Sequence, residues 1–187
     1  MKKISSICIY CGSRNGGNPI FKEEAEKLGT SLAKAGISLV YGGGDAGIMG
    51  MVSSAARKTN GNVISIIPEF LINKETSLEN LIKQENVFIT QTMHERKKLL
   101  FEKSDAFIAL PGGMGTLEEL SEMLTWSQLN RHKKPVILAN LDGFWNPLLK
   151  LINHMIDNGF IVNYEKFAPI ITNDTDEIID AIKQINA

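Results

Sequence analysis

The strongest constraint on this chain is an alternation of short apolar runs with longer stretches of helical period, punctuated by glycine-rich turns. The runs at 4–11, 38–41, 62–67, 86–90, 106–110, 135–140 and 168–171 fit strands. Between them, 21–35, 48–59, 93–103, 116–129, 145–158 and 176–185 carry helical spacing. Residues 107–110 and 136–138 are continuously apolar, and 64–67 is broken only by Ser65, as expected of strands covered on both faces. A β-then-α succession of this kind implies an α/β fold. The expected form is a doubly wound parallel sheet of about seven strands, with right-handed crossovers and helices on both faces. Such sheets hold ligands beyond the carboxyl ends of their strands. The 187 residues fit one domain, and no long linker, repeat or low-complexity segment divides them.

With a formal net charge of −1, the chain carries no electrostatic signature of a nucleic-acid or anionic-membrane partner. Lys2 and Lys3 are not followed by an apolar signal-type region, and no stretch suffices to span a bilayer, so a cytoplasmic location is expected. Cys8 and Cys11 form a C-x-x-C spacing. On one strand, residues three apart face opposite sides and lie about 10 Å apart, beyond disulfide reach. With no second cysteine pair, two inert thiols are expected rather than a metal or redox site.

Three glycine-rich stretches follow strands: Gly12-Ser13-Arg14-Asn15-Gly16-Gly17, Gly42-Gly43-Gly44-Asp45-Ala46-Gly47-Ile48-Met49-Gly50 and Pro111-Gly112-Gly113-Met114-Gly115-Thr116. The last two lead directly into helices, where free amides and the helix dipole attract anions and absent side chains allow close approach. Two such loops at strand ends point to phosphate binding; the plainer alternative is tight turns and close packing. Gly42-x-Gly44-x-x-Gly47 also satisfies the dinucleotide fingerprint, with Glu69 at about the distance of a ribose acid. It follows the second strand rather than the first, however, and leaves the Pro111–Thr116 loop unexplained.

Met93-His94-Glu95-Arg96-Lys97-Lys98 opens a helix but lacks the second histidine of a zinc motif, since position 98 is lysine. Beside the glycine loops, a guanidinium there can fork onto phosphate oxygens or a developing charge; otherwise this is a solvated helix start. Thr116-Leu117-Glu118-Glu119 reads in two ways. Glu119 either closes a capping box onto Thr116 or faces a bound sugar, and both readings stand at this point. Leu120, Met123 and Trp126 on the same helix read as core or subunit contact.

Residues 42–50, the Met93–Lys97 segment and Pro-Gly-Gly-Met-Gly-Thr-Leu-Glu-Glu at 111–119 together resemble the LOG family. The resemblance extends through Cys11-Gly12-Ser13, Leu124-Thr125-Trp126, Lys134-Pro135-Val136, Gly143-Phe144 and Glu165. It implies a Rossmann-like fold, usually dimeric, that cleaves cytokinin riboside 5′-monophosphates without metal or redox cofactor. Carried over, Arg96 and Glu119 are the catalytic pair. Gly43, Gly44 and Gly47, with Gly112, Gly113, Met114, Gly115 and Thr116, hold the 5′-phosphate. Lys97, Glu118 and Thr125 line the substrate, and Glu79 is the expected contact from residues 74–87. Met114 departs from the aromatic residue, usually tyrosine, of many members.

This chemistry agrees with the residue types. Cleaving a ribosyl C–N bond builds oxocarbenium character that a carboxylate stabilises, as in glycosidases. The expected partner is a small-molecule nucleotide, with prenylated adenine and plain adenine both open as the base. A homodimer is expected through apolar surface at Leu124, Trp126 and Leu129. The alternative is a nucleotide-binding or carrier protein without catalysis. A lysine decarboxylase has no support, because no pyridoxal-binding lysine with its partners is recognisable.

Overall fold

A computed structural model describes residues 3–187. Seven strands alternate with seven helices: β1 (Ser6–Tyr10), α1 (Ile20–Lys34), β2 (Ser38–Tyr41), α2 (Gly47–Lys58), β3 (Val63–Pro68), α3 (Leu78–Ile82) and β4 (Asn86–Thr90) come first. The second half adds α4 (Met93–Glu102), β5 (Ala106–Ala109), α5 (Met114–Gln128), β6 (Val136–Ala139), α6 (Asn146–Asp157), β7 (Ile170–Thr172) and α7 (Thr175–Asn186). Every strand pairing is parallel, in the order β4-β3-β2-β1-β5-β6-β7. The chain therefore winds outward from β1 to β4, then returns to place β5 on the other side of β1. The direction of winding reverses between β1 and β5, and the crevice at such a switch point is where these sheets take ligands.

Strand pleating divides the core into two layers. Ile7, Ile9, Leu39, Tyr41, Ile108 and Ile137 face α1, α2 and α7. Their neighbours Cys8, Tyr10, Val40, Phe107 and Leu138 face α4, α5 and part of α6. Both faces are covered, which explains why the strands read as apolar runs without a solvent side. Phe107, fully buried, lies 5.8 Å from the Tyr10 ring and 5.9 Å from Phe101. Truncating it to alanine would cost about 3–5 kcal/mol.

The sequence boundaries agree with these elements to within one or two residues at nearly every end. The consequential difference is α5, which starts at Met114 rather than Thr116. Helix α3 was not expected: five residues are too few for a period, and its main local signal is the Ser77 cap, whose Oγ accepts from Asn80 N–H at 3.1 Å. Cys8 and Cys11 are both buried free thiols, packed into opposite layers of the core, and burial pushes both well above the ordinary thiol range. No helix among the described residues is long and apolar enough to cross a membrane.

Candidate active site

A crevice of about 410 Å³ opens beyond the carboxyl ends of β1 and β5. Its walls are the Cys11–Arg14 loop after β1, Gly113–Thr116 with Glu118 and Glu119 at the start of α5, and Met93 and Arg96 in the first turn of α4. Met49 and Glu75 complete the lining. The sheet topology thus brings together five segments that lie far apart in the chain.

Helix α5 begins without a side-chain cap; Gly113 is its N-cap residue, and Leu117 N–H donates to the Gly113 carbonyl at 3.0 Å. The amides of Met114, Gly115 and Thr116 precede that bond and face the crevice at the positive end of the helix dipole. Because Thr116 lies inside the helix, the capping-box reading of Thr116–Glu119 fails. Real caps of the same type occur elsewhere. At α4, Thr92 Oγ1 accepts from Glu95 N–H, and the Glu95 carboxylate accepts from Gln91 N–H. At α7, Asp174 and Glu177 do the equivalent. Glu119 is therefore free to serve the crevice.

Burial pushes the Glu119 carboxyl from 4.5 up to about 7; Arg96 opposes the rise most strongly, while Glu118 and Glu75 add to it. Arg96 is itself buried, at 6 % exposure, with Nη2 donating to the Gly42 carbonyl at 3.1 Å. A Cβ at position 42 would overlap that nitrogen, so a glycine is what leaves room for the guanidinium. Arg96 Nε and Glu75 Oε2 are buried and make no hydrogen bond. Both residues belong to the crevice lining, and a lining that carries their opposite charges favours a polar ligand. Arg14, at the mouth, forms no ion pair among the described residues and adds positive charge.

The structure brings Arg96, Glu119, Gly113, Met114, Gly115, Thr116 and Glu118 together around the crevice. Gly112 lies just behind, where its Cα side abuts Thr116 and Gly12. Lys97 does not line the crevice; its ammonium is held at 2.6 Å from Glu118 and 3.0 Å from Glu122. Despite desolvation, those two carboxylates raise its pKa. It therefore stays charged and ill-suited to a Schiff base, and no lysine is among the lining residues.

The remaining expected residues lie outside this crevice lining. Gly43 and Gly44 are buried beside Ile67 and Met49, and Gly47 packs so closely on the Ser13–Arg14 peptide that a Cβ would collide with it. The amides of Ile48 and Met49 donate to the carbonyls of Arg14 (3.4 Å) and Gly12 (3.1 Å), so the start of α2 is closed by protein. Glu79 faces solvent on α3, paired with Lys83 at 2.7 Å, while Glu75 enters the crevice instead. Thr125 lies nine residues beyond Thr116, about 13 Å along the helix, with its hydroxyl bonded to the Ser121 carbonyl. Arg14, Glu75, Met49 and Met93 were not anticipated. Arg14 could have been found from its place after the first strand, whereas Glu75, in an aperiodic segment, had no signal.

A family model described as "Possible lysine decarboxylase" matches residues 49–182. The rice cytokinin riboside 5′-monophosphate phosphoribohydrolase LOG (Oryza sativa subsp. japonica) is 48% identical over 159 residues, covering 85% of this chain and 64% of its own length. The cytokinin riboside 5′-monophosphate phosphoribohydrolase LOG7 of Arabidopsis thaliana is 45% identical, covering 85% of this chain and 72% of its own length. LOG5 of the same plant is 40% identical over 98% of this chain and 81% of its own length. Among solved structures, the molybdenum cofactor binding protein of Rippkaea orientalis matches with a TM-score of 0.72 and 26% identity, covering 100% of this chain and 99% of that one. The Moco carrier protein of Chlamydomonas reinhardtii matches with a TM-score of 0.71 at 22% identity, a likeness of fold alone, covering 98% of each chain. With identities of this size over most of its length, the chain belongs to the LOG family of N-glycosyl hydrolases.

Proposed function

We propose that this chain hydrolyses the N-glycosidic bond of an adenine-type nucleoside 5′-monophosphate, a cytokinin riboside 5′-monophosphate or AMP, to free base and ribose 5-phosphate. The observation that carries the reading is a half-buried, desolvated carboxyl, Glu119, set beside buried Arg96 one turn inside an uncapped helix start. The phosphate is assigned to the amides of Met114, Gly115 and Thr116, with Arg14 facing them across the crevice. This replaces the Gly43–Gly47 loop, whose helix start is already bonded and whose Asp45 carboxylate would repel an anion.

As the C–N bond breaks, its electron pair leaves with the base and positive charge grows on the sugar. The Glu119 carboxylate stabilises that charge and orients the water whose oxygen bonds to C1′. One proton of that water stays in the new C1′ hydroxyl and the other passes to the departing base. Arg96 stabilises negative charge on base or phosphate, and Glu75, also in the lining, offers its carboxylate to a sugar hydroxyl. Met49, Met93 and Met114 give the crevice an adaptable apolar side for a base with or without an N6 substituent.

The test is chromatography after incubation with AMP, prenylated AMP and adenosine. The two nucleotides should release base and adenosine should be almost inert; equal rates on nucleotide and nucleoside would refute the phosphate assignment. A carrier without catalysis is the second reading, supported by the fold shared with the Rippkaea protein. Binding of AMP with no base released would favour it.

A further inference from the structure

Glu75 reaches the crevice from a segment with little structure of its own. Residues 72–76 form a tight turn after β3, in which Asn73 N–H donates to the Thr76 carbonyl at 2.7 Å. Lys74 and Glu75 N–H both return to the Leu71 carbonyl at 3.0 Å. These bonds, and the Ser77 cap on α3, lie within the segment and cannot fix where it sits. Leu81, 1 % exposed, holds α3 by packing, while the segment's hydrogen bonds to residues distant in the chain converge on one residue. Asp45 N–H donates to the Glu75 carbonyl at 3.1 Å, while Asp45 Oδ2 accepts from Thr76 Oγ1 at 2.9 Å and Asn80 Nδ2 at 2.7 Å. Among the described residues, the other hydrogen bonds that leave residues 72–82 run only to chain neighbours: Ile72, Lys74 and Glu75 N–H to the Glu69 and Leu71 carbonyls, Gln84 N–H to the Leu81 carbonyl and Lys83 Nζ to Glu79. One side of this clamp is the loop after β2, whose backbone is closed onto the β1–α1 loop through α2, so the anchor is rigid.

We infer that Asp45 is a positioning residue that seats Glu75 in the crevice through these three hydrogen bonds. The inference rests on the reading of the crevice as the nucleotide site. A carboxylate suits the task because one oxygen accepts two donors at once, and bonds to an ionised acceptor are the stronger kind. The competing explanation is that Asp45 merely complements the start of α2 by its charge. The two differ in what an amide does: asparagine keeps the acceptor and loses the charge.

The experiment compares Asp45→Ala, Asp45→Asn and Glu75→Gln in the full chain by three readouts. Hydrogen exchange should quicken across residues 72–82 in Asp45→Ala, with α2 unchanged, and return to wild-type rates in Asp45→Asn. The Glu119 titration, followed by carboxyl carbon NMR, should move down in both Asp45→Ala and Glu75→Gln, because Glu75 acts on Glu119 together with Arg96, Lys97 and Glu118. Turnover on AMP, kcat/KM, should fall about tenfold or more in Asp45→Ala, no further when Glu75→Gln is added, and be restored by Asp45→Asn. Unchanged exchange in Asp45→Ala overturns the clamp. Faster exchange with an unmoved Glu119 titration overturns the positioning of Glu75. Exchange and titration need no turnover, so a wild-type protein inactive on AMP would sink the proposed reaction while these two readouts still decide the role of Asp45.

Discussion

Replacing Glu119 by glutamine tests the electrostatics of the site through stability as well as through activity. The folded chain holds the Glu119 proton up to about pH 7, whereas an ordinary carboxyl releases it near 4.5. Between those values the folded state binds more protons than the unfolded one, so Glu119 makes the protein less stable as pH rises through the window. At about 1.36 kcal/mol per pH unit the loss approaches roughly 3 kcal/mol above pH 7. Glutamine keeps the shape and stays neutral. Glu119→Gln should match wild type near pH 4.5 and exceed it by up to about 3 kcal/mol at pH 8. For a chain of this size that raises Tm by roughly 6–12 °C. Denaturant titration and thermal melts at the two pH values measure this, and base release measures the accompanying loss of turnover. A stability change equal at both pH values would refute the argument. A uniform loss of about 1 kcal/mol with normal turnover would restore the helix-cap reading.

Wild-type kcat/KM should rise with pH through about 7 as the Glu119 carboxylate forms, in a pH profile on AMP; a flat profile would separate Glu119 from the chemistry. Gly42→Ala should push the Arg96 guanidinium off the Gly42 carbonyl and lower turnover by tenfold or more, with a lower Tm as buried Arg96 loses its acceptor; normal turnover would show the seat to be dispensable. Arg14→Ala should raise KM for AMP on the order of tenfold and leave adenosine hydrolysis unchanged, checked by kinetics on the matched pair. We also expect a two-fold dimer. Leu124 and Trp126 pack against the core, leaving Leu129 (63 % exposed) and, on and after α6, Leu151, Met155, Phe160 and Val162 as apolar surface. A monomer mass by light scattering at micromolar concentration would contradict this.

What the sequence determined by itself is the local architecture. Strand and helix identity followed from the period of apolar residues, and double winding followed from their succession, because both depend on neighbours within a few residues. The Pro111–Thr116 loop was legible for the same reason, since a short motif fixes a turn and a helix start, whereas the pairing of Arg96 with Glu119 came from the family resemblance, the local pattern leaving Glu119 open between a cap and a sugar contact. The tertiary structure decided which glycine loop stays open. Both loops have the composition of an anion site, yet the β1–α1 carbonyls close the start of α2, while α5 begins at the switch point between β1 and β5 with its first amides free. It also decided that Thr116–Glu119 is no capping box although Thr92–Glu95 caps α4, since helix phase depends on where the preceding strand delivers the chain. Glu75 reached the crevice, rather than Glu79, through hydrogen bonds to Asp45 some thirty residues earlier, a contact between loops that no periodicity encodes.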